Sequence, residues 1–159
     1  MAVNWKPEGY HTLTLYLSVD DGAAAIDWYT QALGAKERMR MPMPDGRIGH
    51  AELEIGDSVL MLSEPMGEGN VKSPKQLGGT TGGAFVYVED IDTAFKKAID
   101  AGATSAMDPQ DMFWGDRFGS FTDPFGHHWS FATHKEDLTE EEMAKRGQEA
   151  FAQMAGSTN

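Results

Sequence analysis

A near-constant internal offset constrains this chain more than any other feature. Val19 precedes Val88 by 69 residues, and Arg47, Gly49 and Gly56 precede Arg117, Gly119 and Gly126 by 70 each. A repeat carried through strand, helix and hairpin signals means two copies of one supersecondary unit, which bury their apolar faces together. The unit reads as β-α-β-β-β. In the first copy, Leu13, Leu15, Leu17 and Val19 alternate with Thr12, Thr14, Tyr16 and Ser18 from Tyr10 to Val19, one face for a helix and one for a cavity or solvent. Asp20 and Asp21 offer an N-cap for a helix over 23–33, with Ile26, Tyr29 and Leu33 inward and Gly34 as its stop. Strands over 36–41, 47–55 and 58–63 complete the unit.

The second copy restarts with a strand over 84–88. Glu89-Asp90 opens a helix carrying Ile91, Phe95, Ala98 and Ile99, and a strand region over 104–109 follows. Strands over 117–122 and 128–133 then flank Asp123-Pro124-Phe125-Gly126, whose Pro and Gly suit a type I turn. Gly49 and Gly119 fit close backbone packing or a bulge. Thr139 with Glu142 forms a capping box for a last helix, on which Met143, Phe151 and Met154 make a thin apolar stripe. Such a tail packs on its own domain or on a dimer partner. The fold class is therefore α+β: a module over 8–64, a glycine-rich linker over 65–82, a second module over 83–135 and a helical extension over 136–159.

Composition narrows the function classes. A net charge of −12 argues against nucleic-acid binding, which needs clustered Lys and Arg, and favours neutral or cationic small ligands. The absence of cysteine removes disulfides, thiolate nucleophiles and zinc–thiolate sites. No 18-residue apolar run or signal-peptide pattern is present, so the expectation is a cytoplasmic protein without a membrane partner. No Ser-His-Asp order, phosphate loop or nucleotide fingerprint occurs.

The two modules, the Val-Glu-Asp-Ile-Asp helix start, Ala-Gly-Ala, and Gly-Ser-Phe-Thr-Asp-Pro-Phe-Gly-His-His-Trp resemble the vicinal oxygen chelate superfamily, the glyoxalase, bleomycin-resistance and extradiol dioxygenase group. Within it the chain is most similar to the glyoxalase-like branch associated with phosphonate operons. The resemblance covers about residues 10–134 and implies a U-shaped cavity built by two mixed sheets. It also implies four metal-ligand positions in the metal-dependent members, which carry over to Thr14, Leu60, Gly83 and Ser130. None is His, Glu or Asp, so no cofactor and no metal is expected.

Strand parity supplies the remaining candidates. Thr14, Tyr16, Leu60, Phe85, Tyr87, Trp114, Arg117 and Ser130 form the expected ligand pocket, a mixture of aromatics and hydroxyls suited to a small organic molecule. Arg117 reads equally as a clamp on Asp116 or Asp123, and Phe113 and Trp114 read as a lid or as core. His50, Glu52 and His128 are candidates for acid/base catalysis or a displaced metal site, with locally bonded strand histidines as the plainer alternative. His11, His127 and His134 receive no role. The methionines Met39, Met41, Met43, Met61 and Met66 suit an adaptable apolar surface or a core. The leading expectation is a homodimeric binding protein for a small molecule, and the alternative is a lyase or isomerase using side-chain acid/base groups.

Overall fold

Two four-stranded mixed sheets carry the repeat. The computed structural model describes residues 3–156 other than 68 and 70, so parts of the linker and residues 157–159 of the extension lie outside the described residues. The first module contains β1 (Leu15–Ser18), α1 (Gly22–Leu33), β2 (Lys36–Pro42), β3 (Ile48–Ile55) and β4 (Ser58–Ser63). After the short α2 (Pro74–Leu77), the second module contains β5 (Gly83–Tyr87), α3 (Ile91–Asp100), β6 (Thr104–Asp111), β7 (Asp116–Thr122) and β8 (His128–His134). The helix α4 (Glu140–Gly156) closes the chain. The sheet orders are β1-β4-β3-β2 and β5-β8-β7-β6, each with one parallel pair, β1 with β4 and β5 with β8.

Local chemistry sets these elements. Asp21 accepts from the Ala24 N–H at 2.9 Å and Asp90 from Asp92 and Thr93, so the acidic pairs cap both helices as the sequence predicts. Inside the sheets, Glu64 accepts from the buried N–H groups of Gly22 and Ile48 at 2.9 and 3.0 Å. In the second module Thr133 Oγ1 accepts from Ile91 N–H at 2.9 Å. Each module thus ties its helix start to the strand that follows its hairpin.

The modules share one core. Ala25, Ile26 and Tyr29 of α1 and Ile91, Phe95 and Ala98 of α3 pack with Leu53, Leu62, Phe121, Trp129 and Phe131. At the seam lies Asp123, 4% exposed, whose carboxylate accepts from Tyr29 Oη and Trp129 Nε1 at 2.8 Å and from Phe125 and His127 N–H at 2.9 Å. A buried carboxylate is tolerated only when hydrogen-bonded this fully. Burial and the Asp123 charge push the Tyr29 hydroxyl well above the ordinary phenol range. Trp28 Nε1 donates to the Ala101 carbonyl at 2.8 Å, and the His127 ring meets the Ser18 carbonyl at 2.9 Å, adding two more bonds across the seam.

The structure revises the repeat itself. Leu15 pairs with Leu60 and Ala84 with Trp129, which preserves the offset of 69 (84 − 15 and 129 − 60). On the middle strands Leu53 pairs with Leu60 and Phe121 with Trp129, an offset of 68 (121 − 53). One more residue therefore separates the paired positions Phe121 and Trp129 than separates Leu53 and Leu60. The 70-residue spacing of the hairpin glycines marks similar turns rather than equivalent positions.

Three local expectations need correction. The first strand is four residues, since it pairs only with β4, and Leu13 before it is 89% exposed. The linker holds α2, whose Ser73 and Gln76 make a complete capping box that the Ser-Pro-Lys-Gln sequence already spells. The Thr139–Glu142 box forms, but Met143, Phe151 and Met154 stay exposed, and only Gly147 of α4 is buried. No helix among the described residues is long and apolar enough to cross a membrane.

Candidate functional site

The open faces of the two sheets, away from α1 and α3, carry different chemistry. On the first sheet Tyr16, Met61, Glu52 and Met39 lie in one cross-strand row, with His50 opposite Met41 in the next. Tyr16 Oη lies 3.1 Å from His50 Nδ1, and His50 Nε2 lies 3.4 Å from Glu52 Oε1. The other Glu52 oxygen accepts from Tyr10 Oη at 2.5 Å and faces Arg38 Nε at 4.0 Å. Glu52 is only 6% exposed, yet the Tyr10 phenol above all, then His50 and Arg38, hold its carboxyl below the usual range. The same bond raises the Tyr10 hydroxyl.

The second sheet presents rings. Phe85 meets Tyr87 and Phe118 at centroid distances of 5.3 and 5.7 Å, and Trp114 meets Phe118 edge-on at 5.7 Å. Beneath them lies Asp116, 3% exposed, accepting from Tyr87 Oη and Trp114 Nε1 at 3.1 Å and from His134 Nδ1 at 2.8 Å. Burial and Asp116 together raise the Tyr87 hydroxyl. His134 bridges onward to Asp137 at 3.0 Å, and Asp137 and then Asp116 raise its imidazole.

The extension braces this wall from behind. Lys135 and Glu136 N–H both donate to the Gly115 carbonyl, and Arg146 grips Glu136 through two bonds of 2.8 Å. Phe151 packs on Phe113, which packs on Trp114. A side chain at Gly115 would meet the Glu136 carbonyl oxygen at 2.4 Å.

Between the β1 and β5 edges runs a groove of about 1220 Å³ bordered by Leu13, Thr14, Tyr16, Phe85 and Tyr87. A smaller cleft of about 490 Å³ joins Tyr16, Lys72 and His128. Thr14, Tyr16, Phe85 and Tyr87 therefore gather as expected, Ser130 sits beside Phe85 on the same face, and Trp114 lies farther along that wall. His50 and Glu52 come together, while His128 stands apart, opposite Gly83 on β8. Strand parity alters two of the pocket expectations. Leu60 borders the groove too, but from the core side of its sheet at 3% exposure, while register makes Met61 the partner of Tyr16 and the equivalent of Ser130. Arg117 lies on the helix side and binds Asp92 through two bonds of 2.8 Å and Asp111 through one of 3.2 Å, a clamp whose partners are neither Asp116 nor Asp123. Asp116 and His134 went unassigned from sequence because nothing local marks a carboxylate that collects donors from three separate segments.

A sequence model of the glyoxalase/bleomycin resistance protein/dioxygenase superfamily matches residues 10–131. The chain belongs to that superfamily. This superfamily member is 40% identical over 146 residues to the uncharacterised proteins Mb0911c of Mycobacterium bovis and Rv0887c of Mycobacterium tuberculosis. The matches cover 90% of this chain and 93% and 84% of theirs. Among solved structures it resembles TioX from Micromonospora sp. ML1, with 30% identity, a TM-score of 0.62, and coverage of 78% of this chain and 98% of that one. A PhnB protein from Bacillus cereus, titled a putative 3-demethylubiquinone-9 3-methyltransferase, shares the fold at a TM-score of 0.61 and 18% identity, covering 77% and 99%.

The metal positions of this superfamily can now be placed by register rather than by counting from turns. They are Thr14, Met61, Gly83 and Ser130, and a side chain at Gly83 would meet the His128 carbonyl oxygen at 2.6 Å. Hydroxyls, a thioether and a glycine do not fit a divalent ion that wants imidazole and carboxylate donors. Among the described residues no group of three or more His, Asp or Glu converges on one point.

Proposed function

We propose that this superfamily member binds a small, largely apolar organic molecule in the groove between its modules, through side chains rather than a divalent metal. The exposure of three facing aromatics, Tyr16 at 48%, Phe85 at 52% and Tyr87 at 63%, carries this reading. Soluble proteins seldom leave neighbouring rings open to water unless something covers them. The net charge of −12 favours neutral or cationic ligands over anionic ones. The unpaired edges of β1 and β5, flanked by exposed Leu13 and Leu15, support a homodimer in which partner strands shelter the groove.

Thermal-shift titration with neutral, cationic and anionic aromatic compounds tests the reading. A ligand at about 100 times its Kd adds about 2.7 kcal/mol of stability. The expected shift persists after dialysis against a chelator and disappears in the Phe85→Ala/Tyr87→Ala double variant. A shift that requires added metal, or one indifferent to the double variant, would sink the proposal. Light scattering gives the oligomeric state, with monomer at all concentrations counting against the dimer.

A further inference from the structure

Exposure falls along the Tyr16–His50–Glu52 line, and Tyr16 is its most open group. Tyr16 is 48% exposed, whereas the side chains of His50 and Glu52 are 25% and 8% exposed. We infer that this line is a proton relay ending on the Tyr16 hydroxyl, which makes the first module a tautomerase site for small apolar carbonyl compounds bearing an acidic C–H.

The direction of the relay follows from the fixed end. An ionised carboxylate accepts only, so Glu52 Oε1 accepts from a His50 that keeps its proton on Nε2, and its other oxygen is held by Tyr10 with Arg38 nearby. His50 Nδ1 is then left as an acceptor, and the Tyr16 O–H 3.1 Å away donates to it. A carboxylate that sets a histidine's tautomer and a histidine that takes a hydroxyl proton is the logic of base-activated catalysis, here ending on a phenol. The 3.4 Å Nε2–Oε1 contact is long, as such bonds are before a substrate closes over them.

The chemistry balances without any co-reactant. Tyr16 oxygen takes the C–H proton as its own proton moves to His50 Nδ1. The C–H electron pair becomes the carbon–carbon double bond, and the carbonyl π pair moves onto oxygen. Return of the His50 proton through Tyr16, to that oxygen or to carbon, regenerates the relay and leaves an isomer. Nothing is oxidised and no group leaves. Met61 beside Tyr16, Met39 beside Glu52 and Met41 beside His50 provide a polarizable apolar wall for the rest of the molecule. Tyr16 is the catalytic residue; His50 and Glu52 act through it as positioning residues.

The inference rests on a ligand entering the groove beside Tyr16. The test uses the full chain and the enol of benzoylacetone, a neutral aromatic 1,3-diketone, following the loss of enol absorbance, with saturation-transfer NMR reporting binding of the same compound. A positioned acid/base group gives about 10²-fold or more over the protein-free rate. Tyr16→Phe should return turnover to background while benzoylacetone still binds. His50→Ala should do the same and recover activity with added imidazole, which a purely structural histidine would not. Binding by the wild type without acceleration, or full turnover in Tyr16→Phe, overturns the relay but leaves the binding reading standing. Absence of binding counts against both. Should His50→Ala fail to fold, ¹⁵N NMR of the wild type decides: a proton on His50 Nε2 supports the relay and one on Nδ1 overturns it.

Discussion

The two modules fold alike and differ where it counts. Both run β-α-β-β-β, both cap their helix with the second residue of an acidic pair, and both tie the helix start to the end of their last strand. On the open face, however, the first module strings Tyr10, Glu52, His50 and Tyr16 into a polar line, while the second stacks Phe85, Phe118 and Trp114 over Asp116. The lesson is that the two modules share apolar character on the strands' core-facing parity and differ on the other parity. One half carries a line of ionisable groups and the other a wall of rings.

The seam between the modules should give the largest effect. Asp123→Ala strands four donors, two of them backbone, and each buried orphan costs about 1–3 kcal/mol. Even the low end, about 4 kcal/mol for the four, should lower Tm by on the order of 10 °C in calorimetry. Tyr29→Phe removes one donor to a charged acceptor and should cost about 2 kcal/mol.

The helix ties should rank the modules next. Glu64→Ala leaves two buried N–H groups without a partner, so urea unfolding should show a loss of about 2–4 kcal/mol. Thr133→Val abandons one such group, and about 1–2 kcal/mol is expected. Equal losses would mean that the two ties are not counterparts.

The faces should respond to pH in opposite senses. His134 has a folded pKa raised by Asp137 and Asp116, so its stabilisation is complete below the ordinary histidine value of about 6.5 and is lost as pH rises through the folded value. Amide exchange in 135–146 should therefore quicken with rising pH beyond the intrinsic trend, and His134→Asn should abolish that excess. Glu52 has a lowered pKa, so its contribution is present above the ordinary carboxyl range and fades as pH falls through the folded value. Acid should loosen the first face while the second holds.

Arg117→Met should change least. The guanidinium joins Asp92 and Asp111 at an exposed site on the helix side, where ion pairs contribute little. Groove ligands should bind unchanged by titration calorimetry. A large loss of affinity would return Arg117 to the pocket.

Much of this was legible in the chain. Alternation in 13–19 and 84–88 located the paired strands, the acidic pairs located both helices, and Asp123-Pro124-Phe125-Gly126 located the turn, closed by Gly126 N–H to Asp123 O at 3.0 Å. The site was legible only in part. His50 and Glu52 sit two apart on a strand and so share a face by necessity, which is why they were found together. Leu60 borders the groove, but as a metal position it was miscounted, because one extra residue between the paired positions of β7 and β8 reverses the parity of anything counted from the turn. Asp116 and His134 escaped because burial of a carboxylate is decided by Tyr87, Trp114 and the extension, none of which is its neighbour on a strand. Tyr10 was placed within the first strand, yet it lies before β1 and still reaches Glu52.

The Asp123 seam also bears on ancestry. By register, the first-module counterpart of Asp123 is Ile55, and the counterpart of Tyr29 in α3 is Ala98. The tyrosine–carboxylate contact therefore exists once, not twice, and the pseudo-symmetry is broken where the halves meet. A chain spliced from two copies of the first module would oppose Tyr29 with Ile55 and leave a phenol buried without an acceptor. Severed within the linker, by contrast, the natural halves each keep one side of a matched lock, and they should find each other again as separate polypeptides.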